Sequence, residues 1–299
     1  MFGLLNVNKP ASWTSRDVVD RLGYKVRRVK VGHSGTLDPL ATGVLVICLG
    51  RATRLVPYLH RLPKTYVATF QLGRRSDSDD IETEVEVLPD APQVRTEQLC
   101  EVLPRFVGKI IQLPPTYSAV KINGKPAYRK ARKGKPVEVP EREVEVHRIE
   151  LLEHVGDLFT LEIECGTGTY IRSIGRDIAA ACGTAAVMTS LCRTRVGDFT
   201  VETAINPEKA DRRMIQEHLI PATRAVPDVQ RIMLTADDVP RVENGNEIPF
   251  SEATGELSGE VLLCDPSGEL VAIAEVDTER RLICPRVVLR IPPEVNRIG

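Results

Sequence analysis

Residues 158–183, LFTLEIECGTGTYIRSIGRDIAAACG, change their hydrophobic period half-way. From Phe159 to Cys165 apolar and polar side chains alternate, the pattern of a strand with one buried face. A GTGT turn follows and opens a helix that Gly183 terminates. This stretch is therefore read as strand, turn and helix, and the larger part of the chain as a mixed α and β domain.

The same procedure extends outward. GLLNVNKP is read as a short strand ended by Pro10, and TSRDVVDRL as a helix capped by Thr14 or Ser15 and ending at Gly23. VLVICLG is a β-branched run closed by Gly50, and RATRLVPYLHRL a helix weakened by Pro57. In KTYVATFQLG, Tyr66, Ala68 and Phe70 share one face of a half-buried strand. TEQLCEVLPRFVG has helical spacing, QLPPTYSAVKING is extended after its prolines, and AYRKARKG is a short helix closed by Gly134. Prolines and polar residues suggest a linker over 221–232. Two strands joined at Asp265-Pro266-Ser267-Gly268 and a last strand, PRVVLRI, then make 233–299 a small β-rich unit.

The chain has 299 residues, 42% hydrophobic and 27% charged, enough for a sizeable core and two domains. Lys and Arg number 40 against 41 Asp and Glu, so net charge predicts no polyanion partner. The distribution says more. KINGKPAYRKARKGK, residues 121–135, holds seven basic residues and no acid, and RLGYKVRRVK, residues 21–30, holds five; acid concentrates in SDSDDIETEVE from Ser76. Each run alone suits a solvated face, but two basic runs with an interleaved tyrosine point toward a polyanion surface.

Seven scattered cysteines without a Cys-x-x-Cys spacing read as small buried hydrophobes in a reducing compartment. The amino terminus shows no leader-like segment and nowhere do 18 apolar residues follow one another, so a cytoplasmic location is expected.

Familiar catalytic signatures are missing: no Walker loop, no Gly-x-Ser-x-Gly, no His-Glu-x-x-His, and the wrong glycine spacing for a dinucleotide site. The five histidines form no ligand cluster, so no metal is expected. Asp38, in VGHSGTLDPLATG, is open to two readings. Asp-Pro commonly initiates a turn whose carboxylate accepts backbone N–H groups. A carboxylate in a glycine-flanked loop beside a buried strand also suits a nucleophile, which must stay ionised and so needs a nearby cation. Arg172, near the start of its helix, is the candidate, with Arg16, Arg51 and Arg193 as alternatives. Tyr66 and Tyr170 sit at element edges, where each ring suits either base stacking or core packing.

Five blocks in order, NKPASWTSRDVV, GHSGTLDPLATGVLVICLGRATRL, KTYVATFQLG, QLPPTYSAVKINGKPAYRKARKG and GTGTYIRSIGRDI, resemble the bacterial tRNA pseudouridine-55 synthases, the TruB family, over nearly all of residues 1–200. The resemblance implies an α+β fold: a mixed, mainly antiparallel sheet with flanking helices over 1–220, and a PUA-like RNA-binding domain over 233–299. It implies an enzyme that isomerises a uridine of the tRNA T loop to pseudouridine, without cofactor or metal, obligatory protein partner or membrane, and as a monomer. Asp38 falls on the family's catalytic aspartate. Tyr66, Tyr170, Arg172, His33, Leu191 and Lys9 fall on substrate-contacting positions. The basic insertion 121–135 falls on the segment that grips the T stem, with Lys121, Lys125, Arg129, Lys130, Arg132 and Lys133 as backbone contacts.

Two departures stand out. Cys192 occupies a usual arginine position, which removes one phosphate contact, and Thr83 replaces a usual glycine after the acidic loop. The rival readings are a noncatalytic RNA-binding protein, a guide-RNA-dependent relative and an N-glycosidic hydrolase.

Overall fold

The computed structural model describes residues 1–115, 139–250 and 257–290, and the backbone of 121–122 and 125–126. The first elements are β1 (Gly3–Lys9), α1 (Ser15–Lys25), β2 (Val31–His33), β3 (Thr42–Leu49), α2 (Val56–Arg61) and β4 (Lys64–Leu72). A small hairpin, β5 (Arg74–Arg75) and β6 (Glu86–Val87), precedes α3 (Thr96–Val102), β7 (Gly108–Gln112) and the short pair β8 (Lys121–Ile122) and β9 (Lys125–Pro126). Then come β10 (Arg142–Val155), β11 (Leu158–Cys165), α4 (Ile171–Ala181), β12 (Ala186–Val196), β13 (Phe199–Thr200) and α5 (Arg212–Glu217).

Seven strands form the main path of one sheet in the order β1-β3-β12-β4-β11-β10-β7, with β2 added to β3 and β13 to β12. The pairing is antiparallel except where β3 meets β12. That seam is parallel and only two residue pairs long, Cys192 with Thr42 and Arg193 with Gly43. Gly43 has φ +99°, and a Cβ there would fall 2.2 Å from the Arg193 carbonyl oxygen, so the seam closes only on a residue without a side chain.

Local chemistry accounts for the elements. Thr14 accepts from the Asp17 N–H while the Asp17 carboxylate accepts from the Thr14 N–H, a reciprocal cap that starts α1. The helix runs through Gly23 to Lys25, beyond the expected end. Around Pro57 the chain makes a 3-10 turn over Gly50–Leu55 before α2, where proline in the first turn removes no needed donor. One face of the sheet, with Phe70, Phe159 and Ile163, packs against α3 and against Ile174 and Ile178 of α4, while α1 covers Leu5, Leu45 and Ile47 in a second core.

The C-terminal part comprises β14 (Gln230–Met233), α6 (Asp238–Glu243), β15 (Ile248–Pro249), β16 (Gly259–Cys264), β17 (Leu270–Asp277) and β18 (Leu282–Val288), a second sheet in the order β14-β16-β17-β18-β15. It shares a hydrophobic core with the first unit: Val46, Leu59 and Phe199 pack in one cluster with Leu262, Ile273 and Leu289. Arg54 donates to the Val288 carbonyl at 2.6 Å and the Tyr58 hydroxyl to Glu260 at 3.1 Å. In the stretch read as a linker, Ala222, Ala225 and Val226 are buried in that same core. Apolar side chains within a proline-rich stretch gain more from burial than from solvation.

All seven cysteines are free, and Cys48, Cys165 and Cys264 are buried; burial pushes the Cys48 thiol up to about 12 and the Cys165 thiol to about 11. No helix among the described residues is long and apolar enough to cross a membrane.

Candidate active site

The loop between β2 and β3 carries Asp38 and is tied from below. The Ser15 hydroxyl accepts from the Leu37 N–H at 2.8 Å and donates to the Leu37 carbonyl at 3.2 Å. Asp38 begins a turn closed by the Ala41 N–H donating to its main-chain carbonyl at 3.1 Å, with Pro39 at the second position. The turn thus uses the main chain of Asp38, and the carboxylate, 38% exposed, meets Arg172 at 3.1 Å.

Arg172 stands in the first turn of α4, where the helix dipole disfavours a cation. Two carboxylates offset this. A second guanidinium nitrogen lies 3.1 Å from Asp80, whose side chain is wholly buried, and donates to the Ser78 carbonyl at 2.7 Å. The Ser78 hydroxyl donates to Asp80 at 2.5 Å and meets the Thr83 hydroxyl at 2.7 Å. The departure at Thr83 therefore has a structural consequence: its side chain braces the acidic loop. That loop was read as a solvated face, yet Asp79 pairs with Arg176 at 2.8 Å and Asp80 is buried.

Helix α4 is seated by two features. Gln112, fully buried at the end of β7, accepts from the Tyr170 N–H at 2.8 Å and donates to the Tyr170 carbonyl at 3.0 Å. Gly175 lies against Phe70 so closely that a Cβ would fall 2.0 Å from the ring.

Together these elements surround a cleft of about 240 Å³ lined by Asp38, Tyr66, Tyr170, Arg172 and Leu191. Five residues expected from four separate segments thus converge. Tyr66 faces Arg193 across the β4–β12 pair, and burial pushes its hydroxyl up while Arg193 opposes the rise. At neutral pH it is a phenol, not a phenolate.

Two expected contacts are placed elsewhere. Lys9 is fully buried and is not among the residues lining the cleft; its ammonium donates to the carbonyls of Pro10, Trp13 and Pro39 at 2.9, 2.5 and 3.2 Å. Three acceptors saturate an ammonium, so none is left for a nucleotide. Burial lowers Lys9 to about 8 although Asp38 opposes this. His33 also lies outside the lining; its Nδ1 accepts from the Gly35 N–H at 3.3 Å, and burial lowers its affinity for a proton.

Sequence reasoning missed Lys64 and His60, which line the cleft, and Asp80 and Gln112 behind it. Strand parity would have found Lys64, since it sits two residues before Tyr66 on β4 and so on the same face. Leu191 and Arg193 share a face of β12 in the same way, and both line the cleft. Cys192 between them does not, so the missing arginine takes nothing from this site. The six basic residues of the insertion, Lys121, Lys125, Arg129, Lys130, Arg132 and Lys133, lie outside those whose side chains are described. The other basic run is exposed at Arg27 and Arg28, with the Arg27 guanidinium 5.5 Å above the Tyr24 ring.

The site is thus a carboxylate held by a buried arginine in a cleft of a sheet-dominated α+β fold. Comparison with solved structures supplies the fold: the chain superposes on a Cbf5-Nop10-Gar1 complex with a TM-score of 0.72 at 27% identity, covering 97% of this chain and 85% of that one. A box H/ACA ribonucleoprotein bound to a substrate RNA containing 2'-deoxyuridine gives 0.71 at 25%, with 97% and 85% covered.

The family model described as TruB family pseudouridylate synthase (N terminal domain) matches residues 21–171. The tRNA pseudouridine synthase B of Francisella philomiragia is 37% identical over 92% of this chain and 91% of its own length. That of Dehalococcoides mccartyi is 36% identical over 98% and 99%. The chain belongs to the TruB family of pseudouridylate synthases. It is thus an isomerase of the pseudouridine synthase type.

Proposed function

We propose that this chain converts the uridine at position 55, in the T loop of tRNA, to pseudouridine, with Asp38 as nucleophile and without cofactor. The observation that carries the reading is the exposed carboxylate of Asp38 held 3.1 Å from buried Arg172 at the floor of a cleft walled by Tyr66, Tyr170 and Leu191. Four bacterial tRNA pseudouridine synthases B, 36–43% identical to this chain, support the tRNA substrate.

The reaction breaks the bond from ribose C1′ to uracil N1, turns the base and forms the bond from C1′ to C5; C5 then loses its proton and the freed N1 gains one. The atoms balance within the substrate, so the residues need supply only a nucleophile, a proton acceptor and a grip. Asp38 adds to C1′ or to C6 and leaves again at the end. Arg172, 3.1 Å away, pairs with the carboxylate and fixes its direction. The target base must leave its stack, at a cost of a few kcal/mol, which stacking on Tyr66 and packing on Leu191 and Tyr170 offset. A protonated Tyr66 hydroxyl must lose its own proton before it takes one from C5.

Lys9 is a positioning residue, since it holds the carbonyl of Pro39, next to Asp38. His33 flanks the loop outside the cleft lining. The insertion 121–135 grips the T stem through charge, and the C-terminal unit serves as a PUA-like RNA-binding module. The higher identity to bacterial tRNA pseudouridine synthases B, 36–43%, than to the Cbf5-Nop10-Gar1 complex, 27%, supports a stand-alone enzyme over a guide-dependent subunit, and we take it as a cytoplasmic monomer.

The test is nucleoside analysis of a T-loop transcript after incubation with the protein alone, with a chemical label specific to pseudouridine. A labelled C-linked nucleoside at the target supports the reading; free uracil or unchanged uridine, with folded protein, refutes it.

A further inference from the structure

Beyond Arg172, two more buried cations line the cleft: Lys64, 6% exposed, and Arg193, 3% exposed. They come from paired strands, Lys64 opening β4 and Arg193 lying in β12. Arg172 is flanked by two carboxylates. Lys64 and Arg193 have none: among the described residues neither forms an ion pair.

Their donors are only partly used. Lys64 gives one proton to the His60 carbonyl at 2.5 Å, which leaves two. Arg193 donates its Nε to the Val44 carbonyl at 2.7 Å and one Nη to the Gly35 carbonyl at 3.4 Å, and it reaches the Tyr66 hydroxyl. Burial, with Arg193 adding to it, lowers Lys64 to about 8. Burying two like charges side by side costs several kcal/mol per ion unless an anion joins them. Uracil is neutral and the ribose is neutral; the one anionic part of an RNA nucleotide is its phosphodiester.

We propose that Lys64 and Arg193 form the seat for a phosphate flanking the extruded uridine, so that the cleft grips the nucleotide by its backbone while Asp38 addresses the sugar–base bond. The proposal rests on the reading that a flipped uridine enters this cleft. Lys64 supplies a point charge with two free protons, and Arg193 a planar donor already aimed by two carbonyls. Both are positioning residues, and their contribution is alignment of C1′ with the Asp38 carboxylate.

The experiment uses T-stem-loop transcripts with a single neutral methylphosphonate 5′ of the target uridine, 3′ of it, or in the distant stem. Wild type and Lys64→Met are compared in single-turnover pseudouridine formation. One flanking methylphosphonate slows wild type by about tenfold or more, the worth of a hydrogen bond to a charged group, and Lys64→Met slows the unmodified transcript by a similar factor. Combined, the two cost no more than either alone, because both remove the same contact. The stem methylphosphonate affects both proteins equally, and matching melting curves exclude loss of fold. Additive losses, or indifference of wild type to both flanking substitutions, overturn the phosphate seat. Failure of wild type on the unmodified transcript is a separate outcome, which refutes the underlying function and the seat with it.

Discussion

Arg172 and Asp38 stand 3.1 Å apart, the guanidinium 6% exposed and the carboxylate 38%. The cation is fixed in the protein and the anion faces the cleft, so the pair presents a charged oxygen outward without releasing it. Asp38→Asn keeps the shape and removes the nucleophile; no pseudouridine should form, while tRNA still binds. Arg172→Lys keeps the charge but loses the planar fork that spans Asp38 and Asp80, and single-turnover rates should fall by about a hundredfold or more. Filter binding alongside the rate assay checks both, and activity in Asp38→Asn would refute the assignment.

Asp80 shares Arg172 with Asp38 but is wholly buried. Asp80→Asn removes the inner charge, so Arg172 is drawn fully to Asp38 and the carboxylate becomes a poorer nucleophile. The rate should drop by about ten- to a hundredfold with little change in tRNA affinity. A binding defect as large as the rate defect would contradict this.

Gly175→Ala tests the seat of α4. With no room beside Phe70, the new methyl has to push the helix off the sheet, costing roughly 1–3 kcal/mol or more. A lowered melting temperature should come with a loss of rate, because Arg172 lies one turn away on the same helix. An unchanged melting temperature would show that the contact yields freely.

Lys9 gives a pH signature. Its affinity for a proton falls from the ordinary 10.5 to about 8 on folding. Below pH 8 both states hold the proton and the burial cost is constant, about 3 kcal/mol. Between 8 and 10.5 the unfolded chain holds a proton that the folded chain has lost, so stability rises with pH. Lys9→Met should flatten that rise. Urea midpoints of both proteins across this window measure it, and parallel profiles would rule the linkage out.

Much of this was legible in the sequence, for identifiable reasons. Asp38, Tyr66, Tyr170, Arg172 and Leu191 sit in motifs whose order survives without coordinates, and the strand-turn-helix at 158–183 keeps its period at each step. β10 and β12 were not visible. β10 mixes charges into its apolar positions because much of it is exposed, and β12 carries irregularities in its pairing with β4, near Ser190 and Arg195, that break simple alternation. Asp80 and Gln112 escaped because a polar residue buried by partners distant in sequence looks, locally, like one on the surface. Lys9 shows the converse: a lysine beside a proline fits a substrate contact until its carbonyl partners appear.

The two-pair seam between β3 and β12 sets the mechanics of the cleft. Asp38 hangs from the side of the sheet built on β1, β2 and β3, while Tyr66, Leu191 and, by way of α4, Arg172 belong to the side built on β12, β4 and β11. The Asp38 carboxylate and its counter-ion therefore occupy opposite banks of a pairing only two residue pairs long. A side chain added at Gly43, which would fall 2.2 Å from the Arg193 carbonyl oxygen, should spread this seam and with it the Asp38–Arg172 pair.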